Sequence, residues 1–332
     1  MSSDPTRRPF KAAVMLFLAT TVWGVTFIAM KALGQKQLAS MPEAGTWFLT
    51  SLSMLLRFGV SAILIGLWCG KKLRDATRLE LWQGAGLGCF SGLGILFQMD
   101  GVQHTEASTS AFLTQCYCVF IPIVLAVHRR RIPGTRLILS CAMVMAGVAV
   151  LANIDWKGFR LGRGELESII GSILFTGQIL WLERPLFQAN RNALTTFIMF
   201  ATVTLLILPV VILTGTGPRQ WAAASDSWAA VVLDGFLILG GTLAPYVVMN
   251  YWQPHLPATQ AGLIYCCEPL FTSVFALFLP GWLSAEYQIH YANEAMTAHL
   301  VMGGGLITAA NMLAMWPIPP PSPPAPATNR AG

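Results

Sequence analysis

Residues 258–271 read ATQAGLIYCCEPLF, and an acid and a proline, Glu268 and Pro269, stand inside this apolar run. A carboxylate at bilayer depth costs roughly 2.5–3.5 kcal/mol on insertion scales, so one that persists there faces an interior cavity or a partner. Glu268 is therefore the first candidate functional residue. The stretch has an echo 151 positions earlier: residues 107–120 read ASTSAFLTQCYCVF, and the same offset places His104 on His255, Cys116 on Cys267 and Phe120 on Phe271. The shared small-polar start and apolar continuation set the expectation of a membrane protein built from two related halves.

Composition fits that expectation. Hydrophobic residues make up 55% of the 332 and charged residues 11%, less than half of the roughly 25% usual in soluble domains. Apolar runs of about 18–25 residues recur between short charged or Gly/Pro segments, which makes the bilayer the natural solvent and helices the structure that satisfies the backbone there. The net charge of +6 sits in short inter-span loops, a distribution explained by topology and not by a nucleic-acid surface. All seven cysteines fall within apolar runs or at their ends with no CxxC pair, as packing thiols do. Arg7, Arg8 and Lys11 precede an apolar run at 12–33 as in a signal peptide, but the run is too long and lacks an A-x-A site, so it is read as the first span.

Ten spans can be drawn, at about 12–33, 47–69, 81–102, 107–127, 135–153, 165–182, 194–214, 228–252, 258–280 and 298–316. With the N-terminus inside, fourteen Lys and Arg fall on the inner side and six on the outer, with Arg57 alone in mid-span. That bias predicts both termini in the cytoplasm. Five spans per half is odd, so the second half enters from the opposite side. The expected fold is all-α and integral to the membrane: ten transmembrane helices in two inverted five-helix repeats. The division is a cytoplasmic N-terminus at 1–11, a first repeat at 12–153, an outer linker at 154–164, a second repeat at 165–316 and a Pro-rich disordered cytoplasmic tail at 317–332. Gly84, Gly88 and Gly92 leave one face of the third span nearly bare for close helix approach. The loop at 281–296, about twelve residues longer than its counterpart, is a candidate for a short interfacial helix on the outer side.

The sequence resembles the drug/metabolite transporter superfamily, of the EamA type, over roughly residues 12–316. The features that carry the resemblance are WGVTF at 23–27, Arg57 within the second span, GVQHTEASTSAFLT at 101–114, the pair Glu268-Pro269, and the approach from Asn293-Glu294 to Thr297 before a Gly-rich span. The resemblance implies two inverted repeats around a central cavity and export of amino acids or related metabolites from bacterial cells. Family members often have a proline where this chain has Cys118, so the mirror of Pro269 is missing and any matching kink would have to come from Pro122.

Arg57 and Glu268 each lie about ten residues from a span end, which puts both near mid-depth at 1.5 Å per residue. Two readings stand. In one, they receive the carboxylate and ammonium of a zwitterion, or Glu268 exchanges a proton. In the other, Arg57 is a structural arginine held by backbone carbonyls or another acid, and Glu268 caps backbone freed by Pro269. Tyr265 shares a helix face with Glu268, and Thr114 and Tyr117 are placed alike in the first half, with Gln115 on the adjacent face. Gln178 adds an amide from the sixth span, and the family resemblance adds Trp23. These eight are the candidate substrate-binding residues. Asp100 is a second candidate for proton coupling, with the turn at 103–105 as its expected partner, and Asp234 has no visible one.

The sequence has no HExxH, GxSxG or GxxxxGK[ST], so an enzyme or an ATP-driven pump is not expected, nor a cofactor or metal. The expected function is a secondary transporter in the bacterial inner membrane, with a small-molecule solute and the lipid bilayer as its partners and no nucleic acid. Carriage of nucleotide sugars or phosphorylated solutes, and a non-transporting sensor on the same fold, remain the alternatives.

Overall fold

The computed structural model describes residues 7–128, 130, 134–151, 161–224, 226–256 and 258–315, and among them there is no strand. Most of the predicted linker, the basic positions Arg129 and Arg131, and the Pro-rich tail lie outside the described residues.

The helices in chain order are α1 (Arg7–Ser40), α2 (Thr46–Cys69), α3 (Arg78–Gly101), α4 (Ala107–Thr114), α5 (Tyr117–His128), α6 (Thr135–Leu151), α7 (Arg163–Leu182), α8 (Asn192–Thr214), α9 (Pro218–Ala223), α10 (Trp228–Phe236), α11 (Ala244–Trp252), α12 (Ala258–Tyr265), α13 (Glu268–Ala276), α14 (Leu279–Tyr287) and α15 (Ala298–Met315). Among the described residues five helical stretches are long and apolar enough to cross a membrane: Pro9–Ser40, Thr46–Asp75, Ala107–His128, Asn192–Thr214 and Trp228–His255. A sixth follows if Gln260–Ala276 and Leu279–Tyr287, bent by 53°, count as one. The other stretches read as spans are helical too, but shorter or more polar. Ile63, Leu67, Leu205, Ile212 and Leu213 are exposed on these helices, and so large an apolar exterior marks a multi-pass membrane protein.

Packing follows the small residues. A Cβ on Gly84 would lie 2.6 Å from the Ile198 side chain and one on Gly88 2.5 Å from Thr202, so the bare face of α3 lies directly on α8. Helices α6 and α15 meet in the same way, with a Cβ on Gly147 only 2.9 Å from the Gly303 carbonyl. The long loop contains α14, followed by irregular chain to Thr297. From that chain Glu294 reaches the start of α4, accepting from the Ala107 N–H at 2.8 Å and the Ser108 hydroxyl at 2.5 Å. This is an anion at a helix N-terminus, where unpaired N–H groups favour it. Burial raises the Glu294 pKa, and the Ser108 hydrogen bond opposes that shift.

The break in the first half differs from expectation. It falls between α4 and α5, at Gln115 and Cys116, and Pro122 lies inside α5. At this break Gln115 N–H bonds to Phe112 O and Cys116 N–H to Leu113 O, the tighter i to i+3 pairing that lets a helix change direction.

Candidate functional site

Between α1, α2, α3, α7, α11 and the two breaks lies a cavity of about 580 Å³, its open mouth included. The sequence of the stretch 228–252 gives no sign of how the helix is wound there, yet Leu237–Leu243 forms a π-helix between α10 and α11. Wider turns of this kind release backbone groups from the regular ladder and recur at functional sites. Here the Gly241 carbonyl accepts from the Trp23 indole N–H at 3.2 Å, and the Thr242 hydroxyl accepts from Arg57 Nε at 3.0 Å. Trp23 is thereby fixed edge-on to Tyr246 and Tyr265, with ring centroids 5.5 and 5.9 Å away. Such edge-to-face contacts hold aromatic walls rigidly.

Seven of the eight candidate substrate-binding residues line this cavity: Trp23, Arg57, Thr114, Tyr117, Gln178, Tyr265 and Glu268. Gln115 stands behind the wall and donates from Nε2 to Glu268 Oε2 at 2.9 Å. The two breaks therefore face each other. Cys118 Sγ lies 3.3 Å from Cys266 Sγ and donates to the Gly262 carbonyl, both thiols being free. The Gln115 carbonyl at the first break accepts from Asn311 on α15. On the second, Thr272 donates to the Gly24 carbonyl of α1 at 3.0 Å. Gly24 is required there, since a Cβ would lie 2.7 Å from that of Phe271.

Arg57 is buried and makes no ion pair with an acid among the described residues. Nor is it held by backbone carbonyls. Besides Thr242, its hydrogen-bond acceptors among the described residues are two thioethers, Met30 Sδ at 3.4 Å and Met99 Sδ at 3.7 Å from Nη1, and its Cζ lies 6.0 Å from the Phe58 ring centroid. Sulfur is a weak acceptor, so Nη1 is weakly held at the edge of the cavity.

Asp100 is not in the cavity. It is fully buried at the end of α3, ion-paired with Arg163 at the start of α7, and His104 Nε2 lies 3.7 Å away. The expected turn supplies that second contact, while the closer partner comes from another helix. Burial lowers the His104 pKa, Arg163 adds to the shift and Asp100 opposes it. Asp234 also has a partner, Ser53 Oγ at 2.8 Å. Tyr246, Gln98, Met30, Met249 and Phe175 line the cavity without having been singled out from the sequence. Among the described residues no group of three His, Cys, Asp or Glu is placed to hold a metal ion.

A deep cavity in an apolar helical bundle, walled by aromatic rings and facing one arginine and one glutamate, is what a small-solute membrane protein requires. Residues 10–153 match the EamA-like transporter family. The EamA match takes in WGVTF, Arg57 and the 101–114 turn, which carry the first half of the resemblance. A protein of Archaeoglobus fulgidus described as an uncharacterized transporter is 20% identical over 262 residues, covering 79% of this chain and 76% of its own. One solved crystal structure superposes with a TM-score of 0.50 at 17% identity, over 89% of this chain and 96% of that one, a likeness of fold alone.

Proposed function

We propose that the protein is a secondary transporter that exports amino acids or related small metabolites across a bacterial inner membrane by alternating access. The observation that carries this reading is that Arg57 and Glu268, of opposite charge, line one aromatic-walled cavity. A zwitterion supplies the complementary pair, its carboxylate to Arg57 and its ammonium to Glu268. Dianionic nucleotide sugars fit less well, because Arg57 is the only Lys or Arg among the described residues that line the cavity.

The ten-helix inverted-repeat plan, with repeats at 12–153 and 165–316, belongs to the same proposal. Its support is the offset of 151, under which α4 (Ala107–Thr114) corresponds residue for residue to α12 (Ala258–Tyr265), and the restart at Tyr117 to the restart at Glu268. Proton exchange is assigned to Glu268. Asp100 is engaged by Arg163 away from the cavity and is better suited to tying α3 to α7.

The test compares the media of cells expressing the wild type and Glu268→Gln at matched membrane abundance by untargeted metabolite profiling. A set of amino acids or related solutes that accumulates outside only with the wild type is the expected result. Identical media, both equal to that of cells lacking the protein, would remove export of host metabolites from consideration.

A further inference from the structure

A second cavity, also of about 580 Å³, lies between the C-terminal part of α1, the start of α2 and the end of α3. In the proposed topology this is the outer side. Leu38 and His104 are exposed at its rim with Thr46 half-buried between them, and Leu49, Thr50 and Met99 are buried at its floor. Gln98 and Met99 are neighbours in sequence, yet Gln98 lines the central cavity and Met99 the second one. Arg57 lines the central cavity and touches Met99, which lines the second, so at this point the partition is a single layer of side chains. Arg57 and Met30 complete it from the central side, with Arg57 Nη1 donating to Met30 Sδ at 3.4 Å and to Met99 Sδ at 3.7 Å. Gln103 covers Met30 from the other side. Its Nε2 donates to the Met30 carbonyl at 2.9 Å, and its amide lies against the bare backbone of Gly34.

The bonding in this layer is weak where it closes the path. A thioether accepts poorly, a guanidinium binds a carboxylate through two parallel charge-assisted hydrogen bonds, and methionine has three rotatable bonds with which to swing aside. A carboxylate entering the central cavity outcompetes both sulfurs for Arg57. We propose that Met30, Met99 and Arg57 form a latch between the central cavity and the outer pocket, released when a carboxylate-bearing solute draws Arg57 off the two thioethers. The outer pocket is then the external leg of the solute's path. The inference rests on the proposed transport for its solute, but not for its geometry.

The test uses Thr114→Cys as a reporter in the central cavity, labelled in intact cells by a membrane-impermeant, negatively charged methanethiosulfonate added outside. The parent chain gives the background from the native cysteines. Adding Met99→Ala is expected to speed labelling about tenfold, whereas Met99→Leu, which refills the volume, stays within about twofold of the reporter alone. With Met99 intact, a mixture of the common amino acids is expected to speed labelling, and the same mixture as C-terminal amides is not. If Met99→Ala labels no faster at matched abundance and unchanged melting temperature, the partition is not the barrier and the latch is overturned. If the amides act as well as the acids, or neither acts, release by a carboxylate is overturned. Export is judged separately by the Glu268→Gln profile, so an open reporter with no exported solute rejects the transport reading and leaves the latch standing.

Discussion

In the first half of the chain the mid-span break falls at Gln115 and Cys116, six residues before the nearest following proline. In the second half it falls at Cys266 and Cys267, two residues before Pro269. The positions correspond under the offset of 151 and the local chemistry does not. What the two breaks share is what packs across them: Gln115 bonds Glu268, Cys118 meets Cys266 and Gly262, and α15 supplies Asn311 to the freed Gln115 carbonyl. A proline is one way to end a helix segment, but polar partners supplied by a facing break serve as well. The halves differ in the residue that restarts the helix, an uncharged Tyr117 against an ionisable Glu268.

That difference is the sharpest place to test the comparison. Glu268→Gln is expected to cut solute export at least about tenfold at matched abundance, since it removes the only carboxylate among the described residues that line the cavity. Tyr117→Phe, its positional mirror, is expected to cost no more than a fewfold in the same medium assay. Equal losses would mean that position at the restart of the helix, and not charge, carries the role. Gln115→Leu comes next. It strips the carboxylate of the amide that donates to it at 2.9 Å and is expected to cost about 1–2 kcal/mol, read as a melting temperature lowered by several degrees in detergent.

Pro269→Ala tests whether the proline makes its break. Pro269 occupies the second position of α13, where its missing N–H is one that the helix leaves unpaired in any case. The expected cost is under about 1 kcal/mol, with export unchanged. If the proline were the cause, the substitution would regularise the helix, withdraw Glu268 from Gln115 and lower the melting temperature as far as Gln115→Leu does.

Much of the candidate cavity lining was legible because burying polar groups in an apolar run is costly and therefore conspicuous. Glu268 and Arg57 stand out on that ground alone, and the internal offset carries Thr114, Gln115, Tyr117 and Tyr265 with them. The partners were not legible. Arg163 lies 63 residues from Asp100, and Ser53 lies 181 from Asp234, and nothing in one sequence joins groups so far apart. The π-helix at Leu237–Leu243 was hidden for another reason: the Gly-Gly pair in LILGGTL marks a weak point in a helix without saying which way the winding changes. Without it there was no ground for placing Tyr246 opposite Trp23 or for giving Arg57 the Thr242 hydroxyl. Pro122 misled, because a sequence shows the proline and not the facing break that makes one unnecessary.

The smallest expected effect comes from the same kind of group moved to the edge of the bundle. Glu80, at the start of α3, accepts from Arg191 Nε at 2.7 Å and Nη2 at 2.9 Å, and from the N–H groups of Thr77 and Arg191. Unlike Glu268 it has a cation as well as neutral donors. The Arg191 guanidinium, chiefly, holds its carboxyl at about 2, against the opposing effect of burial. An unfolded glutamate titrates near 4.3, so the folded state binds its proton less readily. The stabilisation from Glu80 is therefore complete above about pH 4.3 and is lost as pH falls toward 2. Measured as the melting-temperature difference between wild type and Glu80→Gln, it is expected to be constant from pH 7 to 5 and to shrink on further acidification. Arg191 is 43% exposed, and solvent screening keeps the difference small throughout. A difference that stays flat down to pH 3 would show that the guanidinium is not what sets Glu80 apart. The contrast between a charge-paired carboxylate at the rim and an amide-paired one at the breaks would then lose its physical basis.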